Sequence, residues 1–395
     1  MNWRVYLLAV STFAVGLVEL VVGGILPSLA EDLNVSLATA GQLITVFAIV
    51  YAISAPVLLT ATAKIERKRL YLIALLVFTI GNVFTYFSST FALVMISRVL
   101  IAMSTALVVV LSLTITAKLV EPAHRAKALG LIFIGISSSL VLGVPIGIFI
   151  TESFGWRVMF LGISILSAIS MVLIYFLLEK MPVEKVTPLR EQIRSLGHPK
   201  IFSAHLISLF MLAGHYMLYS YFTPFLMEVL HMTPFWISIC YLVFGLASIG
   251  GNGFGGWLSD KLGSGKAILL VTIAFAVVMF IIPYTVGVFV LFMIMVVLWG
   301  ALSWALTPAL QSYLIQTDPV TSDIQQSLNT SALQIGISIG SAVGGVLFTM
   351  TGSSVDLAKF GAVFVLIAFS CAVISLKRPP LYMDRQHRAE MKTKG

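Results

Sequence analysis

Charge is what this sequence has least of. Only 10% of its 395 residues are Asp, Glu, Lys or Arg, against about 25% in an ordinary soluble domain, while 59% are hydrophobic. That balance excludes a water-soluble globule and implies a chain dissolved in a bilayer. Cysteine is nearly absent as well. Cys240 and Cys371 lie in apolar runs with no His or Cys at ligand spacing, so a disulfide scaffold or zinc site is not indicated and both read as small core residues. The H-E-x-x-H and G-x-S-x-G patterns of hydrolases are missing, and no acids cluster inside the apolar stretches to hold a metal. An enzyme is therefore not expected, nor any cofactor. A channel would show a continuous polar lining, whereas polar groups here are sparse and central.

Long apolar runs are abundant. A bilayer core about 30 Å thick needs roughly 20 apolar residues per spanning helix, and twelve stretches meet that need, at about 3–29, 39–63, 70–87, 91–117, 126–150, 156–178, 201–227, 235–258, 266–283, 286–314, 326–350 and 358–376. The first exceeds the 7–15-residue apolar core of a signal peptide and contains Glu19, so it reads as an uncleaved span. The net charge of +8 does not point to nucleic acid, because the basic residues fall in the connections. With the N-terminus inside, the inner segments collect nearly all of them, from Arg4 and the Lys64–Arg69 cluster to six in the tail, and the outer loops keep only Arg157 and Lys359. Positive charge is retained on the cytoplasmic side, so both termini are expected there.

The connection "EKMPVEKVTPLREQIRSLGHPK" at 179–200 is charged, holds three prolines and has six spans on either side. It divides the chain into residues 1–180, a linker at 181–200, residues 201–378 and a tail at 379–395. Within the linker, "PLREQIRSL" reads either as a short surface helix or as solvated chain. An all-α 6+6 arrangement is the pattern of carriers built from two repeats, with substrate held near the midplane between them.

Between spans 8 and 9 stands "GGWLSDKLGSGKAI". Its Gly256, Leu258, Asp260, Lys261, Gly263 and Lys266 resemble the G-x-L-x-D-[RK]-x-G-x-x-[RK] signature of the major facilitator superfamily. Physically, glycine permits a tight turn, and Asp260 can accept hydrogen bonds from a neighbouring helix N-terminus as a latch. The matching connection of the first half, "TATAKIERKRL" at 60–70, lacks an acid at that place, so any latch there is weaker or differently made. In span 5, "LGVPIG" with Gly143, Pro145 and Gly147 resembles the glycine-proline motif of the drug:proton antiporter branch. Gly and Pro at that spacing bend a helix and admit close neighbours. Arg98 in "VMISRVLIAMS" resembles the span-4 arginine motif, without its usual following glycine. It reads as a proton-coupling or gating residue, or as a side chain snorkelling toward the outer surface. The segments "AGHYMLYSYFTPFL", "LWGALSWALTPALQSYL" and "QSLNTSALQIGISIGSAVGG" are similar to bacterial sugar-efflux and purine-base-efflux pumps. That resemblance implies a multi-pass protein of the bacterial cytoplasmic membrane, driven by the proton gradient and exporting a small molecule; twelve spans can form a complete permeation unit, so a functional monomer is expected. A purine base or nucleoside leads; a sugar or a chloramphenicol-like drug follows.

Glu19, in "FAVGLVELVVGGILP", is the one acid of sixteen well inside a span. Burial of an ionised carboxylate is costly, so the residue reads as a proton carrier or as a structural carboxyl bonded to another helix. Gly16, Gly23 and Pro27 lie on or near its face and let other helices approach. Span 7 carries Met211, His215 and Tyr219 on one face, with Tyr216 and Tyr221 widening an aromatic surface suited to a flat heterocycle or a sugar. Tyr221 also reads as an interface aromatic. Span 11 aligns Thr330, Gln334, Ser338 and Ser341 with Asn329 beside them, and span 10 adds Trp299, Trp304 and Gln311. These are substrate-contact candidates or interhelix bonds, and one of the two tryptophans reads as packing or an interface anchor. His205 and His231, near span ends, need no special role.

Overall fold

Apolar sequence in a medium without water must satisfy its backbone internally, which helices do. The computed structural model describes residues 3–121, 124–181 and 188–378, and in these it is all helical, with twelve spans. Spans 1–6 are Arg4–Gly24, Leu37–Ala61, Arg67–Phe87, Phe91–Leu119, Ala128–Phe154 and Trp156–Leu177. Spans 7–12 are Pro199–Val229, Pro234–Leu262, Ser264–Tyr284, Phe289–Thr317, Ile324–Thr351 and Val355–Lys377. Caps follow the residue chemistry: Ser36 accepts from the Thr39 amide at 3.1 Å and Thr90 from the Leu93 amide at 3.4 Å. Outward apolar side chains such as Ile53, Phe149, Phe176 and Val363 are the faces a bilayer covers. The 379–395 tail and 182–187 of the linker lie outside the described residues, while Leu189–Ser195 forms the short helix considered for the linker.

Spans 1, 7 and 5 are interrupted. Span 1 breaks at Ile25 and continues as Leu26–Asp32. Span 7 breaks after Tyr219 and resumes as Phe222–Val229. These are corresponding spans of the two sequence halves, and each has a proline just past the break, Pro27 and Pro224. Span 5 contains a π-helical stretch, Ser139–Gly143, that ends two residues before Pro145. Pro145 cannot donate to the carbonyl a turn earlier, and widening the turn accommodates it.

Two compact units emerge. The first holds the N-terminal six spans together with Tyr219–Gly245 and Ser341–Ser354. The second holds the remainder of spans 7, 8 and 11 with spans 9, 10 and 12. In the first unit a Cβ at Gly16 would overlap Ser139, at Gly143 Leu17, and at Gly147 Val21, so spans 1 and 5 touch through glycine. In the second, a Cβ at Gly251 or Gly255 would meet the backbone of Ala301 or Ala305, and one at Gly336 or Gly340 that of Leu209 or Ala213. Gly256 of the signature has only the Pro308 Cβ at 4.0 Å, so its neighbour Gly255 makes the close approach.

Candidate functional site

The first unit builds its polar centre around Arg98. The guanidinium is fully buried; Nη1 donates to the Val18 carbonyl of span 1 at 3.0 Å and Nε to the Leu43 carbonyl of span 2 at 3.3 Å. It lies over the Phe47 ring at 4.3 Å, and Nη2 has no hydrogen-bond partner. The snorkelling alternative is therefore replaced by an inward-turned side chain that ties span 4 to spans 1 and 2. Half-buried Glu19, next to Val18, acts electrostatically on both Arg98 and Tyr51. The acid and the base singled out from sequence thus occupy one cluster.

At the end of this unit away from the N-terminus, side-chain bonds tie the spans together. Thr223 Oγ1 donates to the Gly24 carbonyl at 3.0 Å, joining the broken ends of spans 1 and 7. Tyr221 donates to the Ser341 carbonyl at 3.1 Å, and Ser341 Oγ donates to the Gly41 carbonyl at 3.1 Å. The Tyr221 ring stacks on Phe348, 5.8 Å between centroids. Tyr221 is wholly buried, which corrects the reading of it as an interface aromatic. Arg157 and Asp32 pair at 2.7 Å, and the same guanidinium donates to the Ser88 carbonyl.

In the second unit, Trp299 Nε1 donates to His215 Nδ1 at 3.1 Å, so the neutral imidazole carries its proton on Nε2. Tyr216, Phe275 and Trp299 surround that ring at 5.2, 6.0 and 5.3 Å. Tyr219, expected on the His215 face, belongs to the first unit and packs on Tyr241 and Phe244. Gln334 is buried, and Trp304 and Gln311 are half-buried on span 10. Asn329 Oδ1 accepts from Ser208 Oγ, and nearby His205 Nε2 meets Gln325 Oε1 at 2.9 Å. His205 is thus a buried, bonded residue, which its place near a span end did not announce.

The connection motifs are also placed. Gly263 has φ +84°, in the region essentially confined to glycine, and makes the tight turn. Asp260 and Lys261 are solvent-exposed, and Lys261 lies over Trp257 at 4.9 Å. The bond seen at this corner is Ser264 Oγ to Gln316 Oε1 at 3.0 Å, in place of the latch expected at Asp260. In the first half Glu66 does that work: its carboxylate accepts from the Lys68 and Arg69 amides at 2.9 Å and from the Met181 amide at 2.6 Å. Burial pushes the Glu66 carboxyl up, but those three amides and the Lys68 charge outweigh it and hold it below the usual carboxylate range.

Twelve spans, a glycine turn at the 8–9 corner and an arginine anchored across spans 1 and 2 accompany one decisive comparison: the Major Facilitator Superfamily model matches residues 8–322. The chain belongs to the major facilitator superfamily. Within that superfamily it is 32% identical to YbcL of Bacillus subtilis (strain 168), an uncharacterized MFS-type transporter, over 96% of this chain and 97% of the relative. It is 27% identical to the inner membrane transport protein YdhP of Escherichia coli (strain K12), again over 96% and 97%. Among solved structures it shares the fold of a D-xylose-proton symporter, with TM-score 0.76, 15% identity and coverage of 95% and 98%. A bacterial homologue of the lysosomal transporter Spinster matches at TM-score 0.74 and 18% identity, over 95% and 97%. The protein is a membrane transporter of this superfamily and not an enzyme.

Proposed function

We propose that this transporter exports a small flat organic molecule, a purine base or nucleoside, in exchange for protons, with Glu19 as the proton carrier and Arg98 as its electrostatic partner. The observation that carries this reading is their shared cluster. Protonating Glu19 removes the counter-charge of a guanidinium that grips two other spans through their carbonyls, so proton loading changes the forces among spans 1, 2 and 4. The His215 ring, fixed in one tautomer among three aromatic side chains, offers the stacking and hydrogen bonding that a heterocycle needs. Likeness to purine-efflux and sugar-efflux pumps supports export over import. In this reading both termini are cytoplasmic, the bonded end of the first unit faces outward, and a monomer in the bacterial cytoplasmic membrane works alone as two six-span halves.

The test is transport in liposomes under an imposed pH gradient with labelled hypoxanthine or adenine. Wild type should concentrate the base against its gradient, and Glu19→Gln should bind it yet fail to concentrate it. Equal accumulation by both would make the Glu19 carboxyl structural. No accumulation by either would turn the substrate search to sugars and drugs.

A further inference from the structure

The second unit contains a hydrogen-bonded chain, buried except at half-buried Thr321, that the reading above does not use. It starts at Asp318, on the connection between spans 10 and 11, whose Oδ2 accepts from Thr321 Oγ1. Thr321 Oγ1 in turn accepts from Gln325 Nε2 at 3.0 Å, and Gln325 Oε1 faces His205 Nε2 at 2.9 Å. Asp318, Gln325 and His205 are 3%, 0% and 5% exposed. The chain has one consistent direction. A hydroxyl that donates to the Asp318 carboxylate must accept from the Gln325 amide nitrogen, which leaves the amide oxygen toward His205 and requires N–H at His205 Nε2.

That direction leaves Nδ1 as the unprotonated nitrogen, and Nδ1 has no hydrogen-bond partner. The Asn329 side chain also interacts with the imidazole, and its Oδ1, already accepting from Ser208 Oγ, has a second lone pair for a new N–H. We propose that His205 is a second proton-binding site of this transporter, separate from Glu19, that loads at Nδ1 and is held ready by Asp318 through Thr321 and Gln325. The loaded imidazolium donates from both nitrogens and lies two bridging side chains from a carboxylate of opposite sign.

Among the described residues, Lys200, Tyr313, Lys266 and Lys377 are charged or titratable groups on the neighbouring elements. Lys200 Nζ donates to the Ser375 and Arg378 carbonyls and lies over the Tyr313 ring, and Tyr313 pairs with Ser375 Oγ. Lys266 and Lys377 are exposed. Asp318 is the group connected to His205 by the hydrogen-bonded chain.

The site is read without substrate or gradient, so its failure is distinct from failure of the export reading. The full chain in lipid nanodiscs, with 15N-labelled histidine, is titrated by NMR, and His205→Gln identifies the signal. Wild type should show the Nε2–H tautomer when neutral and should titrate as pH falls. Asp318→Asn removes the attracting charge and should move that titration about half to one unit lower. Thr321→Val cuts the chain while leaving the carboxylate, and Nδ1–H tautomer should then appear. A His205 signal that never titrates, or a titration unmoved by Asp318→Asn with tautomer unchanged in Thr321→Val, overturns the proposal.

Discussion

A lysine at position 98 would keep the charge of Arg98 and lose its geometry. The planar guanidinium reaches two carbonyls on different spans while lying flat on Phe47, and an ammonium point charge cannot reproduce that fork. Arg98→Lys should therefore cost about 2–3 kcal/mol, the scale of charge-assisted bonds, read as a lower melting temperature in detergent, and should lose transport with it. An unchanged melting temperature would remove the case for Arg98 as a tie between spans. Glu66 gives a pH test. Its folded carboxyl is held below the ordinary value, so its stabilisation is present above the unfolded carboxylate range, about pH 4.3, and is lost as pH falls through the folded value. Glu66→Gln should melt lower than wild type at pH 7, with the gap closing in acid. Residue roles were only partly legible. Glu19 and Arg98 stand out because charge in an apolar run is costly. Glu66 and His205 do not, because ordinary loop or span-end positions hide what they bond to in three dimensions.

Glycines inside helices separate two kinds of contact. At Gly143 a new methyl would strike the tip of the Leu17 side chain, which has rotamers to move through. At Gly255 it would strike the backbone of Ala305, which cannot yield without moving span 10. Gly255→Ala should thus destabilise by about 1–3 kcal/mol and Gly143→Ala by less. Paired thermal melts decide it, and the reverse order would sink the packing account. Sequence pattern located the elements well, with span 2 expected at 39–63 and found at Leu37–Ala61. It did not separate Gly255 from Gly256, since helical facing turns by a full 100° per residue and no signature says which neighbour is close. The breaks in spans 1 and 7 were also unread, although Gly23, Gly24 and Pro27 in one and Pro224 in the other are residues that interrupt helices.

For the whole molecule, the bonds around Ser341 make a labelling prediction. Ser341 is fully buried beneath Tyr221 and bonded to Gly41. In cells, Ser341→Cys should resist a membrane-impermeant maleimide, and adding Tyr221→Ala should raise its labelling several-fold; strong labelling of the single variant would contradict the burial of this site. The two-unit partition was the least legible feature, because the linker at 181–200 marks a covalent midpoint while Tyr219–Gly245 and Ser341–Ser354 pack with the first unit. The backbone-to-backbone glycine contacts of the second unit carry one more consequence, for how this protein can change over generations. Where Gly336 and Gly340 press on Leu209 and Ala213, and Gly251 and Gly255 on Ala301 and Ala305, the nearest atoms are backbone, which no compensating substitution can shrink. A saturation library selected for surviving protein should therefore leave these helices tolerant on their lipid faces and nearly frozen along one narrow line with a four-residue step.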